Sequence, residues 1–278
     1  MSKSILKKRP SSIPDDYPAP LEEILPKIDL IDDDGEPMES DWHVKAMLLL
    51  ISCTEWWFRD RDDFYVGGNM FIYFSEQQAR NRDFRGPDYF FVKNTRRKPL
   101  RKYWVTWLEN GRTPNVVIEL CSRSTLKQDY GKKKLIYQDI LHVSDYFCYN
   151  PDRKKLEGWR LKNGEYEPLK PNARGWLWSE ELQLWVGVWK GKVGRFDDTW
   201  LRFFDRDGNL VLSEDEGALQ LTEAEKRNAE VEKNRALAEK NRADAAEAEV
   251  ADLREQLAAL RKKPHAANGN GHGKRKKK

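Results

Sequence analysis

The stretch that decides the fold runs from Val116 to Tyr137 and has the sequence VVIELCSRSTLKQDYGKKKLIY. Its first part, Val116–Cys121, is apolar apart from one glutamate, which is typical of a strand covered on both faces. Ser122–Thr125 then provides a helix start, and a helix is predicted at about Lys127–Leu141. A glutamate within a buried strand requires a compensating partner, because an isolated buried carboxylate is costly.

Elements of similar character flank this stretch. A helix is predicted to begin at Ser40 or Asp41, either of which can cap it, and its apolar stripe comprises Val44, Met47, Leu48 and Ile51. Runs rich in aromatic and β-branched residues predict strands at Phe64–Phe74, Tyr89–Val92 and Tyr146–Tyr149. The order is therefore α-β-β-β-α-β, which predicts an α/β (α+β) core with a mixed sheet.

The chain after Pro151 is rich in tryptophan and contains several turn signals. Short antiparallel strands are predicted in the runs GWRL, GWLW, LQLWVGVWKG and WLRFF, which would pair as hairpins that extend or cover the main sheet. The tryptophans are interpreted as core residues rather than as base-stacking residues, because aromatic side chains supply much of the apolar surface that cores bury.

Composition divides the chain into four predicted parts. Residues 1–25 form a mobile arm rich in Pro, Ser and Lys, residues 26–215 the globular domain, residues 216–263 a long charged helix, and residues 264–278 a disordered basic tail. The helix itself is predicted from Thr222 to Lys263, because this segment contains no Gly or Pro.

A seven-residue repeat is visible within the predicted long helix. One stripe comprises Ala224, Val231, Ala238 and Ala245, and a stronger seam of Leu253, Leu257 and Leu260 follows after a phase shift. The other core positions of the first stripe are Arg or Asn, which weakens it. A solvated single helix and a coiled-coil homodimer both remain open.

The net charge of +4 is unevenly distributed. Residues 261–278 contain eight Lys or Arg and no acid, and residues 1–9 contain four more basic residues. Without these twelve positive charges the remaining chain carries −8. A broad basic face for nucleic acid is therefore not expected, so any DNA or RNA contact would be local, metal-assisted or made by the tails.

The sequence also bounds the compartment of the protein. The longest apolar run, at about Ala46 to Cys53, is far shorter than the ~20 residues that cross a bilayer. The basic start leads into Pro and Asp rather than an apolar segment, so a secretory signal is not expected. Three cysteines without paired spacing are interpreted as buried, reduced thiols. We therefore expect a cytoplasmic protein.

Two acids occupy positions where acids are costly. Asp88 follows Gly86-Pro87 and immediately precedes the apolar run YFFV, and Glu119 interrupts VVIELC. One explanation for each acid is an ion pair with a nearby Lys or Arg. The sharper hypothesis is that both carboxylates lie at the ends of neighbouring strands and share a Mg²⁺ ion, which prefers oxygen ligands.

A lysine on the following helix completes this predicted group. Asp129, Lys133 and Tyr137 are each four residues apart and therefore share one helix face. If that face covers the end of the Glu119 strand, the Lys133 ammonium reaches the carboxylates. It would then orient or deprotonate a water, or neutralise charge on a phosphate. The alternative for Lys133 is a surface salt bridge to Asp129.

At these residues the sequence resembles the Uma-two family of endonucleases, a branch of the PD-(D/E)XK restriction-endonuclease-like superfamily. The resemblance covers roughly residues 28–212 and depends on the order and spacing of several short motifs. These are Asp34-Gly35-Glu36, His43, Arg85-Gly86-Pro87-Asp88, Val117-Ile118-Glu119-Leu120, Ser122, Ser124-Thr125, Asp129, Lys133, Tyr137, Asp145-Tyr146 and Asn150-Pro151.

The resemblance implies a Mg²⁺-dependent nuclease, with Mn²⁺ as a possible substitute, in which Asp88 and Glu119 are metal ligands. It also implies that the lysine has moved from the strand to the helix, because Cys121 stands where the superfamily usually has lysine. Lys133 then takes that role, with Lys132 and Lys134 as less well-aimed neighbours.

Further residues are expected near the site from the same resemblance. An acid from the region of the first helix often joins such sites, and Glu39 is the first candidate, with Glu36 behind it. His43 is interpreted as a helix-start or packing histidine rather than a general base.

Two functions are compatible with these residues. The first is an endonuclease that cuts DNA, and the second is a nucleic-acid-binding or scaffolding module that acts through its C-terminal helix. Asp88, Glu119 and Lys133 together favour the first, because a simple binder has no need of buried acids that repel phosphate. A weaker third possibility makes the helix the functional part and the globular domain its anchor.

Overall fold

The computed structural model describes residue 30 and residues 40–81, 86–96, 101–122 and 125–262. The predicted N-terminal arm, Glu36, Glu39 and the basic tail lie outside these residues. The chain divides into two compact units, one ending at Gly217 and the other beginning at Ala218.

Apart from a short 3-10 helix at Thr106–Leu108, the first unit contains eleven described strands and three described helices, the third of which includes two α-helical segments. In chain order they are α1 (Asp41–Trp57), β1 (Phe64–Gly67), β2 (Ile72–Tyr73), α2 (Glu76–Arg80), β3 (Tyr89–Lys93), β4 (Trp104–Val105), β5 (Val116–Leu120), α3 (126–139), β6 (Asp145–Asn150), β7 (Lys155–Lys162), β8 (Glu165–Pro168), β9 (Leu177–Ser179), β10 (Leu184–Val193) and β11 (Phe196–Phe204). The long helix α4 (Glu214–Lys262) begins at the end of this unit.

The main sheet has six strands in the order β1-β3-β5-β6-β7-β8. Only β5 and β6 pair in parallel; the other neighbours in this sheet are antiparallel. The sheet is therefore mixed, and the elements α1, β1, β3, β5, α3 and β6 reproduce the predicted order α-β-β-β-α-β. The predicted fold class is confirmed.

Strand β5 lies at the centre of the core, as its apolar sequence predicted, and all five of its residues are buried. Val116, Ile118 and Leu120 face α1 and the strands β9–β11, whereas Val117 faces α3. This alternation is the two-residue period of a strand. It places Glu119 on the α3 side of the sheet, the side from which Lys133 approaches.

The tryptophan-rich region forms two kinds of hairpin. Strands β7 and β8 extend the main sheet, and β9, β10 and β11 form a separate antiparallel sheet. Trp200 is fully buried in the core that this second sheet shares with α1. The interpretation of such tryptophans as packing residues fits this placement. The three cysteines are buried and unpaired, as predicted.

The predicted apolar stripe of α1 was partly wrong. Leu48 is 54% exposed, whereas Met47 of the predicted stripe is buried together with His43, Ala46, Leu50 and Cys53. The helix is apolar over much of its circumference, so several stripes were compatible with the sequence. Packing against the sheet selected one of them. The predicted cap is confirmed, since Ser40 Oγ accepts a hydrogen bond from the His43 amide at 3.3 Å.

The predicted single strand Phe64–Phe74 is in fact two short strands, β1 and β2, which belong to different sheets. The chain turns between them, where Asn69 has a φ of +46°. Gly68 approaches the Asp88 backbone so closely that a Cβ there would lie 2.2 Å from the Asp88 carbonyl oxygen. The Gly-Gly-Asn sequence is therefore a contact point rather than strand interior.

Helix boundaries also differ from prediction at two places. Helix α3 is interrupted by a π-helical segment, Asp129–Lys133, between the α-helical segments Leu126–Gln128 and Lys134–Asp139. Helix α4 begins at Glu214, eight residues before the predicted Thr222, and includes Gly217. A Cβ at Gly217 would lie 2.0 Å from the Trp56 ring, so this glycine permits a close contact that the sequence did not reveal.

None of the described helices combines the length and apolarity needed to span a bilayer.

Candidate active site

Strand pairing brings the two predicted acids together. The antiparallel register of β3 and β5 pairs Tyr89 with Ile118, so the preceding residue, Asp88, lies beside Glu119. Asp88 Oδ2 accepts a hydrogen bond from the Leu120 amide at 2.7 Å. The Asp88 carboxylate is therefore fixed against the carboxyl end of β5, next to Glu119.

Glu119 is held by two side chains from α3. Tyr137 donates its hydroxyl to Glu119 Oε1 at 2.9 Å, and Lys133 Nζ donates to Oε2 at 3.1 Å. Glu119 is only 1% exposed, so both contacts replace water that the carboxylate has lost. The helix face predicted from four-residue spacing therefore covers this strand end.

Lys133 contacts a second carboxylate. Its Nζ lies 2.8 Å from Asp129 Oδ1, and the Asp129 side chain is 1% exposed. The two alternatives for Lys133, a salt bridge to Asp129 and contact with Glu119, are thus realised together, although the salt bridge is buried rather than on the surface. Tyr146 donates its hydroxyl to the Asp129 carbonyl at 2.8 Å and so fixes the π-helical segment to β6.

The neighbouring lysines have different surroundings. Lys134 Nζ lies over the Trp159 ring, 3.8 Å from its centroid. Lys132 is exposed. Cys121, at the position where the superfamily usually has lysine, is a buried thiol that lies against the core on the α3 side of the sheet.

The charges of the site act strongly on one another. Burial raises the pKa of Glu119 to about 8, and the nearby carboxylates of Asp88 and Asp129 add to the rise while Lys133 and Tyr137 oppose it. For Lys133, burial disfavours the charged form, but Glu119 and Asp129 outweigh it and raise the pKa above its ordinary value. Lys133 is therefore a permanent cation at neutral pH.

The charge balance of the site is compatible with a divalent cation. Three carboxylates, those of Asp88, Glu119 and Asp129, act on the ammonium of Lys133. Positive charge is therefore deficient, and this deficit adds to the effect of burial in raising the pKa of Glu119. Within the described residues no group of three His, Cys, Asp or Glu side chains has the geometry of a metal site. Mg²⁺, however, is commonly bound by one or two carboxylates and several waters, which Asp88 and Glu119 can supply.

His43 occupies a position that sequence reasoning did not foresee. Its Nε2 donates a hydrogen bond to the Leu120 carbonyl, and its Nδ1 lies 3.2 Å from Ser40 Oγ. A carbonyl can only accept, so the proton must be on Nε2. His43 therefore binds the backbone carbonyl of Leu120, and Asp88 binds its backbone amide. The presence of His43 in the family motif was the only signal in the sequence.

A cleft of about 440 Å³ opens beside this strand end. Its lining includes His43 from α1, Ser122 after β5, Asp152 and Lys154 after β6, and Asp198 in β11. The cleft therefore places open, polar space next to the residues that support the carboxylates.

The mixed sheet and its order of elements place the chain in the restriction-endonuclease-like class of folds. A family model described as "Uma2: Putative restriction endonuclease" matches residues 14–192, more than half of the chain. The chain belongs to this family, and the resemblance stated from the motifs is confirmed. A family of nucleases implies a nucleic-acid substrate.

One similar solved structure is described as a putative nuclease belonging to DUF820 from Anabaena variabilis, with 12% sequence identity and a TM-score of 0.39. The match covers 53% of this chain and 76% of that chain. No curated protein matches the sequence.

Proposed function

We propose that the protein is a Mg²⁺-dependent endonuclease that hydrolyses DNA phosphodiester bonds at Asp88, Glu119 and Lys133. The observation that carries the proposal is the buried Glu119 carboxylate, bonded to Lys133 and lying beside Asp88. A carboxylate in the interior of a strand is expensive, and three acids around one lysine exceed what a structural ion pair requires. The family of the chain supports the same chemistry.

Asp88 and Glu119 are the residues that would hold the cation, Mg²⁺ or its substitute Mn²⁺. When bound, this ion supplies Lewis acidity and a template for the phosphate and the attacking water. Asp88 is oriented for this task by the Leu120 amide, and Glu119 by Tyr137. His43 is a positioning residue, because it holds the Leu120 carbonyl of the same strand end.

Lys133 supplies a fixed positive charge and a hydrogen-bond donor. Because Glu119 and Asp129 keep its ammonium protonated, orientation of the water and neutralisation of phosphate charge are favoured over deprotonation of the water. Preorganised charges of this kind contribute roughly 10²–10³-fold in rate when they face the developing charge of a transition state. The Lys133 side chain is 19% exposed, so it can be approached from solvent.

DNA is the proposed substrate because the family is described as restriction endonucleases. The acidic body of the chain argues that contact with the phosphate backbone is local to the site rather than spread over a broad face. The basic tails, which lie outside the described residues, remain a predicted source of additional phosphate contacts.

The test is a cleavage assay with supercoiled and single-stranded DNA in which Mg²⁺ and then Mn²⁺ are titrated. We expect metal-dependent nicking by the wild type, and a loss of about 10²-fold or more in Asp88→Ala and Lys133→Ala. Lys134→Ala is the matched control, because it removes the same charge one residue away where the side chain lies on Trp159.

Two results would count against the proposal. Equal activity in Lys133→Ala and Lys134→Ala would show that Lys133 has no specific role in the reaction. A wild type that neither cuts nor binds either metal, measured by calorimetry, would reject the catalytic function. Glu39→Ala in the same assay tests whether an acid before α1 joins the site.

The second candidate function is a nucleic-acid-binding or scaffolding protein that retains the nuclease fold. The observation that favours it is α4, a 49-residue helix whose apolar side chains Leu219, Val231 and Leu237 are all more than half exposed. Such a protein would retard DNA in a gel without cutting it, with or without metal. It would also be insensitive to Asp88→Ala.

A further inference from the structure

The C-terminal part of α4 carries an apolar seam without a partner in the described chain. Val250, Leu253 and Leu257 are 46%, 51% and 57% exposed and follow one another at intervals of three and four residues. This is the spacing of positions a, d and a of a heptad. Ala243 and Ala246 continue the same register toward the N-terminus of the helix.

Charged residues flank this seam in a pattern that a single helix does not use. With Val250 at position a, Glu249 occupies g and Arg254 occupies e. Charges on an isolated helix are stabilised by opposite charges three or four residues away. Glu249 has Ala245, Ala246, Asp252 and Leu253 at those distances, and Arg254 has Val250, Ala251, Leu257 and Ala258. Neither residue therefore gains an opposite charge from its own helix.

A second copy of the same helix supplies the missing partners. In a parallel, in-register coiled coil, the g residue of one helix meets the e residue five positions later on the other. Glu249 then meets Arg254 of the second copy, and Arg242 meets Glu247. Both contacts unite opposite charges, and each occurs twice by symmetry. An antiparallel pair that matched Leu253 with Leu257 would instead set Arg254 against its own copy.

The complementary region has a limited length. Towards the N-terminus of α4 the same register would place Arg235 at g and Lys240 at e, which repel each other across a parallel pair. The heptad stripe of Ala224, Val231 and Ala238 lies in a different phase and has small apolar residues. Self-association therefore depends on the segment from Arg242 to Leu257, which is a little over two heptads long.

We propose that the protein self-associates through the part of α4 from Arg242 to Leu257 as a parallel, two-stranded coiled coil with a second copy of this chain. The interface consists of the seam Val250, Leu253 and Leu257 and its flanking charge pairs. This inference is independent of the catalytic proposal, because it uses no residue of the site.

The first test is sedimentation equilibrium of the full chain over a range of concentrations. We expect a reversible monomer–dimer equilibrium, and a dissociation constant at least about a hundredfold higher in Leu253→Glu, because two charges would enter the seam. Ala248→Glu is the matched control, since it adds the same charge at position f, away from the seam and its flanking charge pairs. A wild type that sediments as a monomer at every concentration overturns the proposal, as does equal weakening by both variants.

The second test addresses orientation and partner. Glu249→Arg and Arg254→Glu should each weaken the dimer by roughly fivefold, because each creates two repulsive contacts. Mixing the two variants should restore association, since the heterodimer again unites opposite charges at both contacts. In the antiparallel pair Arg254 meets its own copy, so neither single variant would lose an opposite-charge contact. Single variants that associate as tightly as the wild type, or weakened variants that mixing does not rescue, therefore overturn the parallel arrangement. Circular dichroism of each variant confirms that the helix remains folded.

Discussion

Replacing Tyr137 with phenylalanine isolates one hydrogen bond of the candidate site. Tyr137 is fully buried and donates its hydroxyl to Glu119 Oε1 at 2.9 Å. Phenylalanine keeps the ring and its packing, so the change leaves one oxygen of a buried carboxylate without this donor. The change in the free energy of unfolding therefore reports how much this hydrogen bond contributes to stability and whether Glu119 is charged.

The magnitude depends on pH in a direction that the structure fixes. The pKa of Glu119 is raised by burial to about 8, above its unfolded value, so the stability contributed by this group is complete below the unfolded pKa and is lost as pH rises towards 8. At pH 6 the lost bond is to a neutral carboxyl and should cost about 1 kcal/mol. At pH 9 the carboxylate is ionised, and the loss should be about 1.5–3 kcal/mol.

The assay is urea unfolding followed by tryptophan fluorescence at pH 6 and pH 9, with EDTA present to exclude metal. Tyr146→Phe is the matched control, because it removes an equally buried hydroxyl that is bonded to the neutral Asp129 carbonyl at 2.8 Å. We expect the control to cost about 1 kcal/mol at both pH values. The difference between the two variants should appear only at the higher pH.

A pH-independent cost for Tyr137→Phe would refute the reasoning. It would mean that the carboxyl of Glu119 has the same charge at pH 6 and pH 9, or that the hydroxyl is not bonded to it. Added Mg²⁺ gives a second criterion. If Glu119 is a ligand, saturating metal should stabilise the wild type more than Tyr137→Phe, because the variant orients the carboxylate less well.

Two further predictions concern the support of the site and the start of α4. Gly68→Ala should destabilise the protein by about 1–3 kcal/mol and lower its affinity for metal, because the added Cβ would lie 2.2 Å from the Asp88 carbonyl oxygen. Chemical unfolding measures the stability and a metal titration measures the affinity; unchanged values of both would contradict the close approach. Arg202→Met should cost about 3 kcal/mol at pH 7, because Arg202 is fully buried and donates to Glu216 at 2.6 and 3.1 Å. Burial opposes ionisation of Glu216, but Arg202 outweighs burial and lowers the pKa of Glu216. The stability lost in Arg202→Met should therefore shrink as pH falls and Glu216 becomes protonated. A constant loss from pH 7 to pH 3 would exclude the ion pair as its source.

The π-helical interruption of α3 lies at the candidate site. The π-helical segment Asp129–Lys133 begins and ends with the two residues that form the buried ion pair. Such segments insert an extra residue into a helix and are frequent at functional sites. Gly131 lies within this segment, and a Cβ there would meet open space. Regular four-residue spacing was nevertheless sufficient to predict the helix face of Lys133.

The sequence by itself determined the centre of the fold and the members of the candidate site. The run Val116–Cys121 is long enough for a strand and almost entirely apolar, which predicted the buried strand β5. The glutamate within it, Glu119, predicted that other side chains would compensate its burial. Four-residue spacing then identified Asp129, Lys133 and Tyr137, because helix geometry is local. These inferences needed no knowledge of which strands are neighbours.

The tertiary structure decided everything that depends on contacts between distant segments. Which face of α1 is buried, the turn at Gly68, and the start of α4 at Glu214 all result from packing that local propensity does not encode. The contact of His43 with the Leu120 carbonyl joins residues 77 positions apart. The shift in the pKa of Glu119 likewise exists only because the folded chain removes water and assembles three acids around one lysine. Sequence patterns identify groups that need partners, whereas only folding determines which partners they meet.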